Sequence, residues 1–160
     1  MYKVNDYVMY NHNVCKVSKI KRNYMNGSDY YILTPISDES LVISLPTENK
    51  LGLIKDVLSK TDALKLIDNI KNIDPLPNLN DKIIENEYKK LLKNYTHEDL
   101  IKVIKTCYLR NKERIDNGKK ISEKDKAYFE ETEKFLYNEL SVSLNKTYEE
   151  IRNLIYDKCK

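Results

Sequence analysis

The sequence predicts an α+β protein. A small SH3- or Tudor-like antiparallel β-barrel is expected over residues 1–55, followed by an all-helical domain of four to five helices over residues 56–160. Three observations carry this expectation. Short alternating and β-branched apolar runs, separated by turn residues, occupy the front of the chain. An Asn26-Gly27 dipeptide lies between two of those runs, and this is the strongest short-range hairpin signal. From Ser59 onward the apolar period lengthens to three or four residues, and a capping residue precedes each stretch.

In order along the chain, Tyr7-Val8-Met9-Tyr10 reads as a first short strand. Val14, Val17 and Ile20 alternate with Lys16, Ser18 and Lys19 in a second, which runs through Lys19 to Met25 into the Asn26-Gly27 turn. Tyr30–Leu33 returns from that turn and Pro35 ends it, because proline has no N–H to give a ladder. Asp38-Glu39-Ser40 makes the next turn, and Leu41–Leu45 is a β-branched run stopped by Pro46. The helical half begins with Ser59 or Thr61 as N-cap and a stripe of Leu64, Ile67 and the Ile70–Ile73 pair. Asp74-Pro75-Leu76-Pro77 ends it. Asn80 caps a helix carrying Ile84, Tyr88, Leu91 and Leu92. Thr96, with Asp99 three residues on, opens a helix with Leu100, Ile104 and Cys107 on one face, and Asn117-Gly118 stops it. Ser122 opens the next, with Ala127, Phe129, Phe135 and Leu136. Thr147-x-x-Glu150 is a capping box ahead of Ile151, Leu154 and Ile155.

Composition narrows the function. Of 160 residues 41% are hydrophobic and 33% charged, enough for a modest core and a solvated surface. No apolar run approaches the length of a membrane span, and the N-terminus has no apolar signal region, so a cytoplasmic protein without a membrane partner is expected. Gly27, Gly52 and Gly118 are isolated, so no glycine-rich phosphate loop exists. Cys15, Cys107 and Cys159 are far apart and read as free thiols. With His12 and His97 they give no zinc spacing, and neither metal nor cofactor is expected. Carboxylates such as Glu130, Glu131 and Glu133 lie beside Lys134 in the pattern of a solvated helix face. A Cys15–His12 pair lacks a third orienting group, and no enzyme is expected.

Charge is uneven. Residues 101–126 hold 9 basic and 4 acidic groups, a net +5 against +3 for the whole chain. Such a segment is either a solvated lysine-rich helix face or a surface for a polyanion. Tyr108 lies inside it, one turn past Ile104, with Lys105, Arg110, Lys112 and Arg114 around it. By position it either completes the helix core or stacks on bases while the cations hold phosphates.

The order of parts resembles a known family. Lys3-Val4-x-Asp6-x-Val8-x-Tyr10 followed by His12, the Asn26-Gly27 turn, and Leu41–Leu45 leading into Pro46-Thr47-Glu48-Asn49 resemble the N-terminal module of CarD/CdnL-type bacterial transcription regulators, a module that transcription-repair coupling factors share. Val103-Ile104-Lys105-x-x-Tyr108-x-Arg110-x-x-Glu113-Arg114, then Ile121-Ser122-x-x-Asp125-Lys126, then Asn138-Glu139-Leu140, resemble that family's second domain. The resemblance covers nearly the whole chain.

The resemblance implies a monomeric, non-enzymatic regulator. Its β module would pair a strand edge with the β-subunit lobe of RNA polymerase. Its helical domain would meet the upstream edge of the transcription bubble, without reading sequence, and hold the promoter open by wedging an aromatic residue into the minor groove. Tyr108 falls at the position of the family tryptophan. The implied DNA contacts are Tyr108, Lys105, Arg110, Lys112, Arg114, Lys119, Lys120 and Lys126; the implied polymerase contacts are Arg22, Asn23, Tyr24, Met25, Ile43, Ser44 and Leu45. The chain departs from the family at Asn5 and Asn13, where glycine is common, at Asn11 in place of proline, near Asn23 and at Ser44 in place of arginines, and by about five extra residues, Ile115 to Lys119. The competing expectation is an RNA- or ribosome-associated binding module with a Tudor-like barrel.

Overall fold

The computed structural model describes the backbone of residues 1–159 and the side chains through Lys158. Cys159, read above as a free thiol, therefore has its side chain outside the described residues. The strands are β1 (Tyr7–Tyr10), β2 (Asn13–Met25), β3 (Ser28–Pro35), β4 (Ile43–Pro46) and β5 (Ile54–Asp56). They form one antiparallel sheet in the order β4-β3-β2-β1-β5. Among the described residues five α-helices follow: α1 (Lys60–Asn69), α2 (Asp81–Asn94), α3 (His97–Asp116), α4 (Glu123–Leu144) and α5 (Tyr148–Cys159), with a 3₁₀ turn at Ile70–Asn72. The α+β class is as the sequence predicts.

The sheet differs from the expectation in three ways. Its edge strands β4 and β5 do not pair with each other, so no closed ring of hydrogen bonds forms. The Leu41–Leu45 run is paired only from Ile43, leaving Leu41 and Val42 exposed outside the ladder. The expected boundary at residue 55 falls within β5, which belongs to the sheet because Val8 pairs with Asp56 and Tyr10 with Ile54.

The β2–β3 hairpin turns where the sequence places it. Asn26 and Gly27 both adopt positive φ, 51° and 75°, as a tight hairpin turn requires. Two register shifts interrupt β2, between Val17 and Lys19 and between Lys21 and Met25, and Asn23 is left-handed at φ 47°. Val8, Cys15, Val17, Tyr31, Leu33 and Ile54 make the sheet core, with Ile43 and Leu45 packed against it.

The helices enclose a second core that includes Ala63, Ile67, Ile70, Leu100, Ile104, Leu136, Leu140, Ile151 and Ile155. A smaller cluster of Ile84, Tyr88, Val103 and Cys107 joins α2 to α3. Leu64 and Ala127, expected inside, are exposed; Ala63 takes the inward place on α1. Ser59, Asn80, Thr96 and Ser122 each accept a hydrogen bond from a backbone N–H three residues on. Thr147 and Glu150 form the full reciprocal box, at 3.1 and 3.2 Å. At Thr96 only half a box forms, because Asp99 instead accepts from Asn94 Nδ2 at 2.7 Å.

Contacts from the β1–β2 turn and from the segment after β5 fasten the front of the chain to the helices. His12, in the β1–β2 turn, meets Tyr95, at the C-terminal end of α2, and Phe135 of α4. Buried Glu139 accepts from the Leu58 N–H at 2.9 Å and lies 2.8 Å from His97 Nε2.

Candidate nucleic-acid interface

Helices α3 and α4 are joined by residues 117–122 and run antiparallel, so that Arg110 meets Asp125 near one end and His97 meets Glu139 toward the other. This arrangement divides the cations of the basic segment into two groups. Those that reach the α1 and 3₁₀ end or the carboxylates of α2 and α4 are consumed internally. Those that reach neither stay exposed.

Lys105 and Arg110 belong to the first group, which corrects their expected role as phosphate ligands. The Lys105 ammonium donates to the carbonyl oxygens of Ile70 and Ile73, satisfying the end of the α1 and 3₁₀ segment. The Arg110 guanidinium donates to Asp125 Oδ2 at 2.9 Å, Asp81 Oδ1 at 2.6 Å and the Leu79 carbonyl at 3.2 Å. Its side chain is only 16% exposed. Asp125 also accepts from the Tyr88 hydroxyl at 2.9 Å, so one buried carboxylate ties α2, α3 and α4 together. Burial together with hydrogen bonds to Cys107 and Asp125 raises the Tyr88 phenol well above its usual range. Arg114 is partly committed, with Nη2 3.8 Å from Asp81.

Lys112, Lys119, Lys120 and Lys126 form the second group. All are exposed, and none of the described residues gives them an ion-pair partner. Tyr108 is 41% exposed, so it does not complete the helix core. Its ring lies 6.2 Å from that of Tyr156 on α5, at 34°. Together with Phe129 and Tyr148 these rings line a groove of about 590 Å³ between α3, α4 and α5, with Lys112 and Lys126 on its walls.

Sequence reasoning missed Glu133 in this groove. It was grouped with Glu130 and Glu131 as solvated, yet it is 6% exposed. Burial raises its carboxyl above the usual range, against the pull of Arg152, whose Nε lies 3.6 Å away. The hydroxyl of Tyr148 hydrogen-bonds it, and burial beside Glu133 pushes that phenol up to about 12. The signal available in the sequence was positional: Thr132, Glu133, Leu136 and Leu140 recur at helical spacing, with Leu136 and Leu140 in the core.

The expected polymerase contacts gather at the far end of the β2–β3 hairpin and along β4. Arg22 pairs with Asp29 at 2.7 Å, and the Asn23 N–H donates to the same carboxylate at 3.0 Å. Tyr24 and Met25 are exposed, and the Lys21 ammonium lies 4.3 Å from the Tyr24 ring. On β4 the expected side-chain roles divide. Ile43 and Leu45 point into the sheet core and are not free for a partner, whereas Ser44 is exposed. The Thr47 N–H donates inward to the Asp29 carbonyl at 3.0 Å. By the two-residue period of a strand, the N–H of Leu45 also faces β3 and that of Ser44 faces out.

Among the described side chains, Cys15 and Cys107 give no nucleophile. Cys15 is buried in the sheet core, and burial pushes its thiol up to about 11; the cleft beside His12 is lined by Met9, Tyr95, His97 and Glu139 without it. Cys107 is likewise buried and raised to about 12. Among the described residues no cluster of His, Cys, Asp or Glu could hold a metal ion, and no helix is long and apolar enough to cross a membrane. No family model matches the sequence, and no curated protein matches it.

Proposed function

We propose that this chain is a non-catalytic transcription regulator that attaches to the β-subunit lobe of RNA polymerase and stabilises the open promoter complex at the upstream edge of the bubble. On this reading the sheet is an opened variant of an SH3/Tudor-like barrel. Its unpaired β4 edge adds to a strand of the lobe, and the protein acts as a cytoplasmic monomer without a cofactor. The β4 edge is the better candidate than the outer half of β2, because the two register shifts and the left-handed Asn23 kink the latter.

The observation that carries the proposal is the half-exposed Tyr108 ring beside Lys112 from α3 and Lys126 from α4, neither of which has an ion-pair partner among the described residues. An aromatic wedge can unstack a base step in the minor groove while neighbouring ammonium groups neutralise phosphates. Four free lysines allow few phosphate contacts, so DNA binding by the isolated protein is weak and salt-sensitive. Attachment to the polymerase raises the effective concentration of the wedge at the bubble and compensates for this.

The test is co-precipitation of the isolated polymerase β lobe with the full chain, alongside binding to a structured RNA, followed by measurement of promoter-complex lifetime with and without the protein. Lobe binding and a longer lifetime support the proposal. Binding to the RNA with none to the lobe supports the RNA-associated alternative and overturns it.

A further inference from the structure

The groove beside Tyr108 carries chemistry that a simple wedge does not use. Its walls are aromatic, its free cations are Lys112 and Lys126, and among its lining groups is the nearly buried carboxylate of Glu133. The Arg152 guanidinium lies 5.3 Å over the Tyr156 ring, and at 3.6 Å from Glu133 it is too far for a good hydrogen bond. Each element asks for a different part of a ligand. Ring faces take a planar group, a carboxylate takes N–H donors, and unpaired ammonium groups take anions. A volume of about 590 Å³ is in the range of small-molecule sites.

We infer that this groove receives one unpaired base of a DNA strand, a base that carries an exocyclic amino group, with Glu133 accepting from that amino group and Lys112 and Lys126 holding the flanking phosphates. The inference rests on the proposed nucleic-acid role of the helical domain and names what its site selects. A carboxylate is the side chain that accepts from the cytosine amino group, and it faces the O4 carbonyl of thymine unfavourably. Bases freed from a duplex are typically held by stacking on aromatic and guanidinium planes and by hydrogen bonds on their pairing edges. A wedge that unstacks a step supplies such a base beside it.

The test titrates the isotopically labelled full chain with single-stranded tetradeoxycytidylate and tetrathymidylate at pH 7.5, up to millimolar concentration, following the amide signals of α3, α4 and α5. The two strands have the same length and charge. Tetradeoxycytidylate is expected to bind about fivefold or more tightly, with shifts centred on Tyr108, Glu133 and Tyr156. Glu133→Gln is expected to bring the two affinities together, because an amide can donate to the thymine carbonyl. Should that variant fail to fold, the ratio measured on the native protein decides alone. Lys112→Gln with Lys126→Gln is expected to weaken both strands equally. Equal binding of the two strands by the native protein overturns the base preference and leaves the proposed DNA role standing. Binding of neither strand overturns the proposed base site. Deoxycytidine monophosphate binding as tightly as the tetramer overturns a DNA strand as the source of the base.

Discussion

The Tyr95 hydroxyl donates a hydrogen bond to the main-chain carbonyl of His12 at 3.2 Å, while the two rings lie 3.6 Å apart between centroids. Both residues are left-handed, at φ 56° and 68°, so each end of this joint between sheet and helices is held in a backbone conformation that larger residues seldom adopt. Burial, with Lys55 nearby, lowers the His12 pKa from its usual 6.5. The folded state therefore prefers the neutral ring. The stability this contributes is complete above the unfolded value and falls as pH drops below 6.5 through the lower folded value.

The expected outcome is a urea midpoint that declines between pH 7.5 and pH 5 more steeply in the native chain than in His12→Asn. Asparagine keeps the left-handed backbone and removes the titration. Parallel midpoints in both proteins would show that His12 is not the titrating group.

Arg110 is expected to behave as a structural residue. Arg110→Ala leaves Asp125 buried and unpaired, a change that typically costs about 3–5 kcal/mol. Lys112→Ala and Lys126→Ala are expected to stay within about 0.5 kcal/mol of the native protein in thermal or urea unfolding. In DNA titrations across salt concentrations each lysine variant should lower the log–log slope by about 1. A native-like slope in both would assign these lysines to solvation alone.

Tyr108→Ala is expected to cost under about 1 kcal/mol of stability, because the ring is already half exposed. Lobe binding should survive while the promoter complex decays faster. Tyr108→Trp should match or prolong the native lifetime, since a larger ring fills more of an opened step. A large fall in the melting temperature of the alanine variant would instead mark Tyr108 as a packing residue.

Ser44→Pro removes the outward N–H of the β4 edge without touching the ladder to β3. The variant is expected to fold and to lose the polymerase lobe, because edge recognition depends on main-chain donors and acceptors. Retained lobe binding would exclude β4 pairing and direct attention to the end of the β2–β3 hairpin, where Tyr24 and Met25 are exposed.

What the sequence made legible was local. The helix caps at Ser59, Asn80, Thr96, Ser122 and Thr147, and the Asn26-Gly27 turn, follow from neighbours within a few residues, and the structure has each of them in place. What it hid was the destination of long polar side chains. Lys105 and Arg110 looked identical in kind to Lys112, and only the folded chain brings Ile70 and Asp125 to them from 35 and 15 residues away. Glu133 was disguised in the same way by its exposed acidic neighbours Glu130 and Glu131. The strand β5 is three residues long and exists only through its pairing with β1, so no periodicity announces it.

Among the described residues, six of the eight non-glycine residues with positive φ are asparagines, among them Asn5, where the resembled family commonly has glycine. Asparagine tolerates the left-handed well, yet it wanders over fewer conformations than glycine when the chain is unfolded. Turns built this way surrender less disorder on folding, and afterwards they hinge less freely. Asn5, Asn11, Asn23, Asn26 and Asn49 all lie in the front module, between or beside strands. The sheet thus meets any partner already set in shape, and little of the free energy of association is used to order it.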